Sequence, residues 1–350
     1  MRSAWCKYRL QFRFTARTSR ETMRSKDTYY IKIWDDDAAT FGIGECGLFR
    51  GLSCDDVPGY ESVLDAVCTA VASSQPLPDL TGFPSIRMGF ETVTADWRTG
   101  GRRIMVPSAW IRGEEGIVTN GLVWMGSRDE MLRRIDEKIV AGFRCVKLKI
   151  GGIDFDEEIG LLDYIRRAYG PDRLELRLDA NGAFTPAEAL ARLDRLSRFA
   201  IHSIEQPIRQ GQWREMARIC CESPIPIALD EELIGLNDTD EKRRMLETVR
   251  PSYIILKPTL HGGFSGCDEW INLASLRGIG WWATSALESN IGLNAIAQWV
   301  ATKNPAMPQG LGTGALYVNN IPSPLQMRGE RLFSDPVSQW VIPDLPWKTF

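Results

Sequence analysis

The chain has 350 residues, 44% hydrophobic and 25% charged, a balance that fits a soluble globular protein larger than one small domain. Its formal net charge of −3 gives no electrostatic case for nucleic acid or an anionic membrane as partner. No stretch approaches the ~20 apolar residues that span a bilayer, and the opening MRSAWCKYRLQFRF lacks the apolar segment of a secretory signal, so a cytoplasmic location is expected.

In chain order, Leu10–Phe14 alternates with period two and Tyr29–Trp34 does so more loosely, which predicts two strands. Asp35-Asp-Asp37 reads as a turn and Thr40–Glu45 as the returning strand. Val63, Leu64, Val67 and Val71 predict a helix over Tyr60–Ala72, which Pro76, Pro78 and Pro84 break. This is an α+β pattern over residues 1–105.

From residue 106 the character changes. Strand-like runs at Arg144–Ile150, Leu174–Asp179, Ile201–Glu205, Ile225–Asp230, Tyr253–Lys257, Gly280–Ser285 and Gln309–Gly312 alternate with amphipathic segments such as Asp154–Arg167. A helix is also expected to open at Thr185–Glu188, with Pro186 just inside its start. The most apolar run, Ile279–Leu287, is short and reads as a buried strand. Strand, helix, strand, helix predicts a parallel sheet. The expected fold is α/β: a TIM-like barrel of seven or eight βα units over 106–318, capped by the N-terminal α+β domain. The Pro- and Trp-rich tail, 319–350, is expected to fold back on that cap.

Each barrel strand ends in a polar residue: Lys149, Asp179, Glu205, Asp230, Lys257 and Ser285. The steps between them are 30, 26, 25, 27 and 28 residues, about one βα unit each. Parallel barrel strands converge at one mouth, so these residues are expected to meet there. Three carboxylates on consecutive strands repel one another unless a cation lies between them. Hard oxygen donors suit Mg²⁺ or Mn²⁺. Lys147 and Lys149 share a strand face. Two ammonium groups beside a dication are expected to lower the pKa of one of them toward that of a useful base. Lys257 is expected on the opposite wall. Eight cysteines without a C-x-x-C pair fit reduced thiols, and two histidines, His202 and His261, are too few for a His-rich zinc site or a Ser-His-Asp triad. His202 reads as structural, and nothing requires His261 at a site.

The motifs K-L-K-I (147–150), L-D-A-N-G-A-F (178–184), I-E-Q-P (204–207), A-L-D-E (228–231) and L-K-P (256–258), in this order and spacing, resemble the enolase superfamily, muconate-lactonizing subgroup. The resemblance covers nearly the whole chain and takes in G-I-G-E-C (42–46), at the position of a loop lining the pocket. It implies that Asp179, Glu205 and Asp230 hold Mg²⁺, which binds a small-molecule carboxylate. Lys149 would be the general base that removes the α-proton and Lys257 would steady the enediolate by charge. Lys147 would lower the pKa of Lys149. Two outcomes are compatible with this machinery: syn elimination of water from a cyclohexadiene carboxylate, or racemisation or epimerisation of an acylated amino acid with both lysines as bases.

The expected substrate-binding residues are Ser285, Glu288, Gly312, Thr313 and Asn181, with Gly310–Gly314 offering N–H groups to a second carboxylate. Loops Thr18–Ser25 and Cys46–Ser53 are expected to cover the mouth, and Arg17, Arg20, Arg24 and Arg50 are candidates to meet that carboxylate. The sequence leaves open whether the protein is a homo-oligomer.

Overall fold

The computed structural model describes residues 1–17, 22–36 and 40–350. Three strands, β1 (Arg2–Arg17), β2 (Thr22–Trp34) and β3 (Gly42–Cys46), form an antiparallel sheet. Two helices pack beside it, α1 (Tyr60–Ala72) and α2 (Pro84–Arg98). Pro84 opens α2 rather than only ending what precedes it, because the first helical turn has no use for the N–H that proline lacks. The G-I-G-E-C glycines have a packing role. A Cβ on Gly44 would stand 2.0 Å from the backbone oxygen of Gly89, and one on Gly42 2.4 Å from that of Val93. Only backbone without side chains lets β3 and α2 come this close.

After β4 (Ile117–Val118), the barrel begins at β5 (Gly121–Val123). It continues through α3 (Arg128–Val140), β6 (Cys145–Lys149), α4 (Phe155–Ala168), β7 (Glu175–Asp179) and α5 (Ala189–Ser197). Then come β8 (Ser203–Glu205), α6 (Trp213–Glu222), β9 (Ile227–Leu229), α7 (Thr239–Val249), β10 (Tyr253–Leu256), α8 (Gly263–Ser275), β11 (Gly280–Ala283) and α9 (Asn290–Lys303). The seven strands lie in the order β11-β10-β9-β8-β7-β6-β5, all parallel. Instead of an eighth strand, Gln309 bridges Thr119 and Gly310 bridges Thr284. This stitch joins the two ends of the sheet. The fold expected from the sequence is therefore present, with shorter strands.

Helix starts follow local chemistry. Ser127 and Glu130 form a capping box before α3, and Asp154 and Asp238 accept backbone N–H groups at the starts of α4 and α7. Thr185 and Glu188 exchange side-chain-to-backbone hydrogen bonds, but the helix proper begins later, at Ala189. Outward-facing Val146, Leu148, Leu176, Leu178, Ile204, Leu229, Ile254 and Leu256 are buried in one core with Ile159, Leu162, Leu193 and Met216 of the helices. Truncating one such leucine to alanine typically costs about 2–5 kcal/mol.

Past the stitch, β12 (Leu325–Arg328) and β13 (Arg331–Ser334) form a hairpin that pairs with β4, and β14 (Lys348–Thr349) pairs with β1 at the cap sheet's edge.

Candidate active site

Alternation along β6 turns Lys147 and Lys149 into the barrel while Val146 and Leu148 face the helices. The parallel register then sets Lys149 beside Asp179 and Asp179 beside Glu205. Neighbouring strands run about 4.8 Å apart, so three charges stand in one row. Asp230 follows β9, and Lys257 follows β10, four strands round the sheet from β6.

These side chains meet. Lys149 Nζ donates to Asp179 Oδ2 at 2.7 Å and to Asn181 Oδ1 at 2.6 Å. Lys147 Nζ donates to Glu205 Oε2 at 2.8 Å and lies 3.1 Å from Asp179 Oδ2. Lys257 donates to Asp230. The Asn181 amide also donates to Glu231 Oε1 at 3.0 Å, so Asn181 links two strand ends. Both lysines of β6 are less than one tenth exposed, and Asp179, Glu205 and Asp230 are buried.

Burial opposes ionisation of every group here, and local charge decides the outcome. Asp179 is held below the usual carboxylate range because Lys147 and Lys149 outweigh burial. Asp230 is also lowered, against burial, by the Lys257 ammonium. Burial, joined by the charge of Asp179, pushes Glu205 well up. Lys147 is raised: burial would lower it, but Asp179 and Glu205 prevail, so it is not the lysine of the pair whose pKa was expected to fall. Lys257 is likewise raised, against burial, by Asp230 and Glu205.

Among the described residues, no group of three acidic, histidine or cysteine side chains stands ready to hold an ion. Each carboxylate has an ammonium against it. Even so, Glu205 Oε1 and Asp230 Oδ1 are buried without a hydrogen-bond partner. Two orphaned carboxyl oxygens, one of them on the group that resists ionisation, are what a buried cation would satisfy.

The charged rim opens on a cavity. Lys147, Lys149, Asp179, Asn181, Lys257, Ser285, Gly310, Gly312 and Thr313 line it. Ser285 Oγ accepts from Thr313 Oγ1 and from Leu287 N, both at 2.9 Å, which leaves its own hydrogen to donate. Met23, Phe49 and Leu52 of the cap segments also line the cavity.

Several expectations need correction. Glu288 does not line the cavity; it is fully buried and accepts from Thr259. The G-I-G-E-C segment is a buried strand, and the wall begins only beyond it, at Phe49. Arg24 is exposed, and Arg50 pairs with Asp56 and Tyr29; neither lines the cavity. Arg20 and the Arg17 side chain lie outside the described residues. Sequence reasoning missed Asn120, Leu122, Trp124 and Glu231, which also line the cavity. The first three flank or belong to β5, whose three residues are too short for a periodic signal, whereas the second acid of A-L-D-E was available as a clue to Glu231. His261 Nδ1 accepts from Lys257 N at 3.0 Å.

With this geometry, residues 130–332 match the family described as enolase C-terminal domain-like, and the chain belongs to the enolase superfamily. It is 46% identical to the o-succinylbenzoate synthase of Desulfotalea psychrophila, over 91% of this chain and 95% of that protein. The crystal structure of MenC from the same organism superposes with a TM-score of 0.84 at 43% identity, covering 95% of this chain and 99% of that one. A dipeptide epimerase from Enterococcus faecalis, solved with Mg and a dipeptide, shares the fold: TM-score 0.80 at 17% identity, covering 97% of each chain.

Proposed function

We propose that this chain is an o-succinylbenzoate synthase. It would dehydrate 2-succinyl-6-hydroxy-2,4-cyclohexadiene-1-carboxylate to 2-succinylbenzoate in menaquinone biosynthesis, in the cytoplasm. The observation that carries this reading is the near-full-length similarity to the Desulfotalea synthase. The cavity between Lys149 and Lys257 is consistent with it. We take residues 1–105 as the cap, 106–318 as the barrel and 319–350 as the tail.

An α-proton beside a carboxylate is hard to remove, because its loss puts a second negative charge on that group. In this reading Lys149, in its neutral form, takes the proton. Lys147, kept protonated by Asp179 and Glu205, supplies fixed positive charge beside it. Lys257 steadies the developing charge from the opposite wall. Lys149 then returns the proton to the departing hydroxyl on the same face, water leaves and the ring becomes aromatic. Asp179, Glu205 and Asp230 are the residues that would hold a divalent cation. Their hard oxygens suit Mg²⁺, with Mn²⁺ as the alternative, and such an ion would supply a Lewis acid to the substrate carboxylate. The cations lining the cavity, among the described residues, are lysines. The succinyl carboxylate is therefore assigned to neutral donors: the Ser285 hydroxyl, the Asn120 amide and the backbone N–H groups of Gly312 and Thr313.

The test is an ultraviolet assay of aromatic product with Mg²⁺ present and Lys149→Ala as control. We expect turnover by the wild type and a loss of at least about 10³-fold in the variant, the scale of a missing general base. A wild type that binds Mg²⁺ but leaves this substrate untouched, and exchanges the α-proton of N-succinyl amino acids in D₂O, would instead be a racemase.

A further inference from the structure

Three charged side chains at the join of cap and barrel do not line the cavity: Lys26 on β2, Glu45 on β3, and Glu288 just before α9. All three are buried. Burying three charges is costly unless they are paired and hydrogen-bonded, and most of that demand is met here.

Glu45 belongs to the cap, yet three of its four hydrogen bonds come from the barrel. Oε1 accepts from Ser289 N at 2.9 Å and from Thr28 Oγ1 of the cap at 2.8 Å. Oε2 accepts from Ser289 Oγ at 2.5 Å and Gly292 N at 2.9 Å. Ser289 is the N-cap of α9 and Gly292 lies in its first turn. A carboxylate from one domain thus satisfies the open N–H groups of a helix in the other. A Cβ on Gly292 would stand 3.0 Å from Glu45 Oε2, so a glycine admits the carboxylate here.

Burial lowers the pKa of Lys26, and the charges of Glu288 and Glu45 oppose that shift. Its Nζ donates to Gly47 O at 3.1 Å and lies 5.9 Å from the centre of the Phe49 ring. Gly47 itself lies against the barrel: a Cβ there would stand 3.0 Å from Glu288 Cγ and 3.2 Å from Thr259 Cγ2. Each partner adjoins a piece of cavity wall. Lys26 follows Met23, Gly47 precedes Phe49 and Leu52, and Glu288 follows Ser285, Ala286 and Leu287.

We propose that Lys26, Glu45 and Glu288 are positioning residues: they lock the cap's share of the cavity wall to the barrel's share, and so set the affinity for substrate without touching it. The substrate part of this inference rests on the synthase reading above; the mechanical part does not.

Three variants test it. Glu45→Gln keeps the shape but turns an amide toward N–H donors. Lys26→Met leaves two buried acids without their cation. Gly47→Ala presses a methyl group on Glu288 Cγ and Thr259 Cγ2, which must give by a few tenths of an ångström, and removes no charge. For each folded variant we expect KM for the cyclohexadiene substrate to rise about tenfold, with kcat within about threefold, because the strand-end lysines and acids are unmoved. The double variant Lys26→Met/Glu288→Gln, which removes one charge of each sign, is expected to recover part of the KM lost in Lys26→Met. Hydrogen exchange supplies a readout that needs no substrate. In Lys26→Met, exchange should quicken in both 47–53 and 285–293 while 175–179 stays protected. An unchanged KM in folded variants overturns the proposal, as does faster exchange confined to the cap side. If the wild type fails to turn over the substrate, the synthase reading falls and exchange alone decides the lock.

Discussion

Asp55 is fully buried, and one oxygen, Oδ2, accepts from Ser85 N and Ser85 Oγ at the start of α2. Its other oxygen has no hydrogen-bond partner. Burial pushes its pKa up from 3.8 to about 6, against the pull of Ser85. The folded state therefore binds this proton more tightly than the unfolded chain does. The resulting stability is complete below pH 3.8 and is lost as pH rises through about 6. Two pKa units correspond to about 3 kcal/mol. Asp55→Asn should therefore gain on the wild type by up to about that much between pH 4 and pH 7, in urea titrations at each pH. A difference that stays constant over this range would show that Asp55 is not the source.

The same scale explains what the sequence made legible. Lys149, Asp179, Glu205, Asp230 and Lys257 were readable because a charge at the end of an apolar strand has no place in a core and recurs once per βα unit. Glu288 was misread for a related reason. It closes an apolar run much as the others do, but Leu287 takes a left-handed turn with φ of 62°, and the chain carries Glu288 away from the mouth to Thr259. The raised pKa of Lys147 was not legible, because sequence counts lysines near lysines and does not show which carboxylate lies against each ammonium.

Among the elements, the β3–α2 contact is the tightest backbone approach considered above. Gly44→Ala would press a methyl group into the carbonyl of Gly89, which is backbone and cannot rotate aside. Overpacking of this kind costs about 1–3 kcal/mol and at times more, and we expect the upper end, read as a lower urea midpoint at unchanged slope. Gly160 in α4 is the contrast, since a Cβ there meets nothing within 4 Å. Gly160→Ala should stabilise by up to about 1 kcal/mol through better helix propensity. Helix α1 was legible to the residue because its apolar spacing is regular. The sequence read a strand at Gln309–Gly312, where Gln309 and Gly310 form single bridges and no ladder, and it missed β5, whose three residues carry no periodic signal.

For the molecule as a whole, folding collects buried acids and lysines at one rim, with Glu205 left resisting ionisation. A divalent ion that binds only the folded state adds RT ln(1 + [ion]/Kd) to stability, about 2.7 kcal/mol at a hundredfold excess over Kd. Mg²⁺ should therefore raise the melting temperature, and a chelator should reverse the rise. Asp230→Asn should abolish it. A melting temperature indifferent to Mg²⁺ and Mn²⁺ would count against an ion at this rim.

The stitch at Gln309 and Gly310 has a consequence for how the molecule is made. The strand that opens the ring leaves the ribosome early, near residue 120, but its neighbour on the open side is not synthesised until residue 309. A nascent chain stalled short of that point carries all three lysines and all three acids on an arc with two loose rims. Those rims, bare of hydrogen-bond partners, are open to chaperones or to the wrong strand. Enzymatic competence should thus arrive abruptly, once synthesis has passed Gly310.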